Sequence, residues 1–205
     1  MALNFANNNS LSAITTKPSG LSGGALNLIS TQTASSSSTI SFTSGIDDTY
    51  DSYVFKFYDI HPETDRKYLS FQGSTNSGSS YGVTATTTFF QAQHFENDSS
   101  SELGYTTAAD LAQSTSFQPM SLTGTSADND ACFVGQLQLF NPSSTTFVKH
   151  FIMTSQNSNK NSSLDRSNNC YVAGYFNTTS AVNGIQFKFS SGNIDSGVIK
   201  LYGVS

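Results

Sequence analysis

The sequence predicts an all-β fold, a jelly-roll-like, two-sheet antiparallel β-sandwich with an extended N-terminal arm. Apolar residues recur with a period of two in short runs, which is typical of strands with one packed face and one wetter face. Clusters of Ser, Asn, Gly and Asp separate these runs and favour turns. Charged residues make up only 11% of the chain and aromatic residues 12%, a composition that suits strands better than helices.

The first element is the segment 1–24, "MALNFANNNSLSAITTKPSGLSGG", whose apolar residues are singly spaced and whose Pro and Gly residues interrupt any regular element. Two interpretations are open: a disordered leader, or an extended arm that docks on a neighbouring subunit. Isolated apolar anchors favour the arm, because disordered tails contain fewer such residues. We therefore divide the chain into an attachment arm, 1–24, and a sandwich domain, 25–205. The anchors are Leu3, Phe5, Leu11, Ile14 and Leu21.

The alternating pattern begins near residue 25 and continues almost to the last residue. It is clearest in "YDSYVFKFYDI", "GVTATTTFFQAQHF", "ACFVGQLQLF", "TFVKHFIMTSQ" and "GIQFKFS". With the shorter runs, it predicts nine to eleven strands at hairpin-like spacing. A single turn or a short helix is expected near Ala108 to Ala112.

The chain closes on "SGNIDSGVIKLYGVS", which contains a final strand over Val198 to Tyr202. A last strand can lie inside a sheet, paired on both sides with early strands. In that arrangement Ile199 and Leu201 face the core, and Lys200 faces the other way.

Charge and hydropathy disfavour several classes of protein. The formal net charge is −5, and the nine Lys and Arg residues are scattered, so nucleic-acid binding is not expected. No apolar run approaches the length of a membrane span, and the start lacks the features of a secretory signal. Cys132 and Cys170 both lie beside apolar residues, and we expect two buried free thiols made in a reducing cytoplasm.

Candidate catalytic and metal-binding residues are few, and we expect no enzyme activity and no cofactor. His61, His94 and His150 are far apart, without metal-ligand spacing, and His150 alternates with apolar residues as a packed strand histidine does. No nucleophile elbow is present. Asp128 and Asp130, in "SADNDA", leave a bound metal open, although solvated loop acids explain them more simply.

Three stretches resemble a known family: "STISFTSGIDDTYDSYVFKFYDIHP", the closing "SGNIDSGVIKLYGVS", and the start "MALNFANNNSLSAIT". They are similar to small virion structural proteins of marine tailed phages, especially those that infect cyanobacteria. The resemblance covers both ends of the chain, while the middle is less distinctive. It implies a jelly-roll-like sandwich without catalytic activity, made in the host cytoplasm and built into the virion. Such proteins occur as capsid decorations and as domains of tail fibres and other tail appendages.

Two functional hypotheses follow, with a glycan-degrading enzyme as a weaker third. In the first, a capsid decoration or cement protein, or a tail-associated protein, is anchored on other virion proteins by its arm. In the second, a receptor-binding module holds host glycan through Tyr81, Tyr105 and the Asn-rich loop 157–169, because sugar sites combine an aromatic face with amides and hydroxyls. A homo-oligomer is expected, and a trimer fits both hypotheses. The sequence does not decide between capsid and tail.

Overall fold

The computed structural model describes residues 25–160 and 165–204, and within these ranges the chain forms twelve strands and no helix. The strands are β1 (Leu26–Ser37), β2 (Ile40–Phe42), β3 (Ser52–Pro62), β4 (Leu69–Ser74), β5 (Ala85–Phe95), β6 (Ser101–Tyr105), β7 (Gln118–Pro119), β8 (Phe133–Phe140), β9 (Lys149–Asn159), β10 (Arg166–Phe176), β11 (Gly184–Phe189) and β12 (Ile194–Val204). Near Ala108 the chain makes a turn, in which the N–H of Ala109 donates to the carbonyl of Thr106 at 3.3 Å. Within the described residues, no helix could cross a bilayer.

The strands form two antiparallel sheets, which confirms the predicted fold class. The larger sheet has eight strands in the order β1-β12-β3-β8-β9-β10-β5-β6, and the smaller has four in the order β2-β11-β4-β7. The prediction of nine to eleven strands was low, because β6 lies in a stretch whose composition favours a turn and β7 has only two residues. The arm, 1–24, lies outside the described residues.

The last strand lies where the sequence predicts, between two early strands. β12 pairs with β1 on one side and with β3 on the other, and Ile199 and Leu201 are fully buried. Gly203, directly opposite Tyr53 on β3, makes room for the ring of Tyr50, because an added Cβ would lie 2.2 Å from a Tyr50 ring carbon. The two long stretches of the family resemblance are therefore packed against each other.

Tyr50 and Tyr53 continue this contact into the core. Their rings meet edge-on at 5.8 Å, and the buried Tyr53 hydroxyl donates to the carboxylate of Asp47 at 2.8 Å. Hydrogen bonds from the backbone and side chain of Thr49, and then from Tyr53, hold the pKa of Asp47 below its usual value. This segment before β3 is thus fixed by both apolar and polar contacts.

Aromatic rings fill the space between the sheets. Phe42 and Phe187 of the smaller sheet meet Phe55 and Phe57 of β3 edge-on, at centroid distances of 5.0 to 5.3 Å. Phe71 of β4 meets Phe151 of β9 in the same way at 5.2 Å. Edge-to-face pairs of this kind add about 0.5–1.5 kcal/mol each beyond the burial of apolar area.

Two local expectations were wrong. His150 is exposed on the side of β9 that faces away from the core, because Lys149, Phe151 and Met153 are the residues that β9 buries. Cys132 is only half-buried, whereas Cys170 is buried as expected. Both thiols are free, and burial raises the pKa of Cys170 to about 11.

Gly203→Ala should destabilise the fold, because the new methyl group overlaps the Tyr50 ring. We expect the free energy of unfolding to fall by roughly 1–3 kcal/mol, the usual cost of overpacking. Urea denaturation measures the change.

Gly104→Ala is the matched control, because an added Cβ on β6 would approach nothing closer than the Glu102 carboxylate at 3.8 Å. It should change stability by no more than about 0.5 kcal/mol. Equal effects of the two substitutions would contradict the contact between Gly203 and Tyr50.

Candidate functional site

The outer face, by which we mean the face of the eight-stranded sheet turned away from the smaller sheet, carries an unbroken line of side chains across all eight strands. Each member lies directly opposite the next on the neighbouring strand. We call this line the transverse row, and from β1 to β6 it comprises Thr31, Lys200, Lys56, Gln136, Thr154, Tyr171, Phe90 and Tyr105. Neighbouring strands lie roughly 4.8 Å apart, so the row is an elongated surface perpendicular to the strands.

The β6 end of the transverse row is aromatic and exposed. The rings of Tyr171 and Phe90 are stacked, with centroids 4.8 Å apart and planes 10° apart. Tyr105 follows on β6 and is 55% exposed, and the adjacent Leu103 is 73% exposed. Clustered exposed apolar side chains mark interaction sites in soluble proteins, so this end of the outer face is a candidate contact surface.

Two shallow grooves lie on the outer face beside this end, each over a glycine. One, of about 430 Å³, lies over Gly174 between His150, Ile152 and Tyr175. A Cβ at Gly174 would lie 2.4 Å from the carbonyl oxygen of Thr86, so no larger residue fits without a backbone shift.

The second groove, of about 310 Å³, lies over Gly135. Its walls are Gln156, Asn169 and the ring of Tyr171. An aromatic wall beside amide groups is the arrangement that small polar ligands such as sugars require.

Tyr105, one of the two predicted glycan contacts, belongs to this surface. Its hydroxyl donates to the carboxylate of Asp110 at 2.6 Å, and this hydrogen bond raises the pKa of Tyr105. The polar tip of the side chain is therefore engaged, and the ring remains exposed for contact.

Tyr81, the other predicted contact, lies in the loop between β4 and β5 and lines a different cavity, of about 410 Å³. The cavity is otherwise lined mainly by polar residues, among them Ser80, Asn177 and Thr178. The Tyr81 hydroxyl is buried beside Gly78, so the ring is the part of Tyr81 that a ligand in the cavity could meet.

The predicted Asn-rich loop 157–169 is largely not a loop. Its two ends belong to β9 and β10, and residues 161–164 lie outside the described residues. Asn157, Asn159 and Asn168 are buried. Their side-chain amides donate inward: those of Asn157 and Asn159 to the carbonyl of Gly124 at 2.7 and 3.0 Å, and that of Asn168 to the Thr123 hydroxyl at 2.9 Å. These three side chains are structural and do not contact ligands.

The predicted glycan contacts therefore do not form one site. Tyr81 precedes the start of β5, whereas Asn168 pairs with Gln93, eight residues along that strand from Ala85. A strand rises about 3.4 Å per residue, so Ala85 and Gln93 lie roughly 27 Å apart along β5, with Tyr81 in the loop before the Ala85 end. Tyr105 pairs with Phe90, between the two.

A further cavity, of about 210 Å³, contains a histidine, a cysteine and two carboxylates, the residue types of many catalytic sites. Nδ1 of His61 lies 3.5 Å from the carboxylate of Asp195, and Nε2 lies 3.2 Å from the carbonyl of Asp128. Both ring nitrogens thus face oxygen atoms and not the thiol. Burial, and then the nearby Asp59 carboxylate, raises the pKa of Cys132, so the reactive thiolate is disfavoured.

The loop that contains Asp128 and Asp130, for which the sequence allowed a bound metal, contains an ion pair. The carboxylate of Asp130 lies 2.6 Å from Nζ of Lys160, and that of Asp128 accepts from the Ser126 hydroxyl at 3.1 Å. Hydrogen bonding to Lys160 lowers the pKa of Asp130. Across 25–160 and 165–204, no group of three or more His, Cys, Asp or Glu side chains is arranged to hold a metal ion.

No protein-family model, no curated protein and no solved structure matches this chain. The arm anchors Leu3, Phe5, Leu11, Ile14 and Leu21 lie outside the described residues. A function is therefore inferred from the geometry of 25–160 and 165–204 together with the sequence.

Asn168→Ala should destabilise the sandwich, because it removes a donor to Thr123 and to the side-chain oxygen of Asn157 inside the core. Leaving such groups unpaired costs about 1–3 kcal/mol. Asn169→Ala, at the next position but on the outer face, should stay within about 0.5 kcal/mol of the parent. Denaturation in urea compares the two, and a stable Asn168→Ala variant would show that the Asn side chains are not structural.

Proposed function

We propose that this chain is a non-enzymatic structural protein of a tailed-phage virion. It is a capsid decoration or cement protein, or a tail-associated protein, and it is attached to other virion proteins or to neighbouring copies through residues 1–24. The family resemblance of both ends of the sequence supports this assignment, and so does the jelly-roll-like sandwich.

The position of β1 is the observation that supports attachment through residues 1–24. β1 directly follows residues 1–24 and lies at an edge of the eight-stranded sheet. Its first residues, Leu26 and Leu28, are 39% and 57% exposed. An edge strand with exposed apolar side chains is a ready surface for another chain. The apolar anchors of the arm thus continue onto the domain and suit a contact with a neighbouring subunit.

The packing of Tyr50 on Gly203 brings together the two long stretches that carry the resemblance. The stretches "GIDDTYDSYVF" and "GVIKLYG" supply the two sides of this contact, so they form a single packing unit.

Deleting residues 2–24 should leave a folded, soluble domain that no longer joins particles, because the sandwich core lies within the described residues. Phage lacking the native protein is supplied with the truncated chain, and the chain is quantified in purified particles. Circular dichroism and thermal melting check that the domain is folded.

A finer variant replaces the five arm anchors with Ser. Its matched control replaces Asn7, Asn8 and Asn9 with Ser, which alters the same segment without removing apolar groups. Purified particles should lack the anchor variant and contain the control variant. Normal incorporation of the anchor variant or of the truncated chain would refute attachment through the arm.

A receptor-binding module is the second candidate function, and the Tyr81 cavity favours it. An aromatic ring beside Ser80, Asn177 and Thr178 offers a stacking surface together with hydroxyl and amide partners for a host glycan.

Substitution at Tyr81 tests this candidate on an array of host-surface glycans. Tyr81→Ala should abolish binding, whereas Tyr81→Phe should retain it, because the hydroxyl is buried beside Gly78 and only the ring is accessible. An array on which the parent binds nothing, or on which both variants behave alike, would rule this cavity out as a receptor site.

A further inference from the structure

Two lysines of the transverse row lie directly opposite each other, on the second and third strands from the β1 edge of the outer face. Lys56 of β3 pairs with Lys200 of β12 in the antiparallel register. Like charges in this relation destabilise a sheet. The chain as a whole is acidic, with 14 Asp and Glu against 9 Lys and Arg, so two adjacent positive charges here need an explanation.

Each lysine is held against a tyrosine ring of the other strand. Nζ of Lys56 lies 5.8 Å from the ring centroid of Tyr202, and Nζ of Lys200 lies 5.3 Å from that of Tyr58. A cation over an aromatic face gains about 0.5–1 kcal/mol at an exposed site, which offsets part of the repulsion. We call these four residues the Lys–Tyr cluster.

The two tyrosines flank the lysine pair, with Tyr58 opposite Val198 and Tyr202 opposite Val54. Partial burial, followed by the hydrogen bond with the Tyr58 hydroxyl, raises the pKa of Tyr202. Two ammonium groups and two phenol groups thus converge on one area of the outer face, and all of them can donate hydrogen bonds.

Within the described part of the chain, neither lysine has a carboxylate within 4.0 Å, since the ion pairs present there involve other residues. The rest of the transverse row is uncharged, with Thr31 on one side of the pair and Gln136 and Thr154 on the other. The row therefore holds two positive charges and no negative one, which is complementary to an anionic group on an otherwise neutral partner.

We propose that the Lys–Tyr cluster binds the carboxylate of an acidic glycan, whose neighbouring sugar units lie along the transverse row towards Tyr171 and Tyr105. This binding site is distinct from the Tyr81 cavity and does not depend on attachment to a particle. Acidic glycans would thus be the ligands of the outer face.

The chemistry of the row favours a glycan over an acidic peptide. The backbone groups of the interior strands are engaged in the ladder on both sides, so a peptide laid across them would find few partners for its own N–H and C=O groups. Sugar hydroxyls instead match the amide of Gln136 and the hydroxyl of Thr154, and sugar rings pack on aromatic side chains. Three strand spacings separate Lys56 from Tyr171, roughly 14 Å, which is room for an oligosaccharide.

Isothermal titration calorimetry of the full chain tests the proposal with three probes. They are a hyaluronan octasaccharide, in which glucuronate alternates with a neutral sugar, the same octasaccharide with its carboxyl groups reduced to alcohols, and polyglutamate of similar length. The acidic octasaccharide should bind, and more weakly as salt is added. Its reduced form should bind at least about tenfold more weakly, since the charge-assisted hydrogen bonds are lost.

Variants locate the site. The double substitution Lys56→Gln and Lys200→Gln should weaken binding of the acidic octasaccharide at least about tenfold. The matched control, Lys67→Gln with Lys188→Gln, removes two positive charges elsewhere and should bind like the parent. Removing the opposed charges should leave the thermal midpoint unchanged or higher.

If the double variant does not fold, Thr154→Glu replaces it, and the carboxylate placed in the row should weaken binding by repulsion.

Four results would overturn the proposal: no binding of the acidic octasaccharide, equal binding of its reduced form, an unchanged affinity in the folded lysine variant, or preferential binding of polyglutamate. The last would indicate an acidic protein partner. Because titration uses no particles, these results are independent of whether residues 1–24 attach the chain to a virion.

Discussion

The register of β12 between β1 and β3 is the constraint on which the rest of the structure depends. It puts Ile199 and Leu201 into the core and places Gly203 under the ring of Tyr50. A slip of one residue would turn every side chain of the strand to the other face, expose the two apolar residues and bury Lys200. Because β12 lies between the edge strand β1 and β3, the same slip would also change its alignment with both neighbours.

The same register also creates the surface that we assign to function. The residues of β12 that alternate with the core residues are Lys200 and Tyr202, and their alignment on β3 brings Lys56 and Tyr58 beside them. Core and outer face are thus two consequences of one pairing. The repulsion between two opposed lysines is a local cost that the core must offset, and polar groups retained at such a cost are more often found at functional sites than elsewhere.

Local patterns in the sequence predicted the fold class, most of the strands and the burial of the last one, because strand periodicity is a property of neighbouring residues. In β9, where Phe151 and Ile152 place an apolar side chain on each face, they did not indicate which face turns inward, and for this reason the interpretation of His150 was wrong. The stretch around Asn157 and Asn168 has the composition of a loop, and its amides are buried only because Thr123 and Gly124 lie beside them. The transverse row depends on the register of strands that are distant in sequence, and no local pattern contains that information.

The central claim is that this chain is part of a virion and is held there by residues 1–24. A cryo-EM reconstruction of intact particles with the chain traced tests it most directly. We expect the sandwich on the capsid lattice or on the tail, with the arm lying against a neighbouring subunit and the outer face turned towards solvent. Particles that contain no density for this chain would contradict the claim.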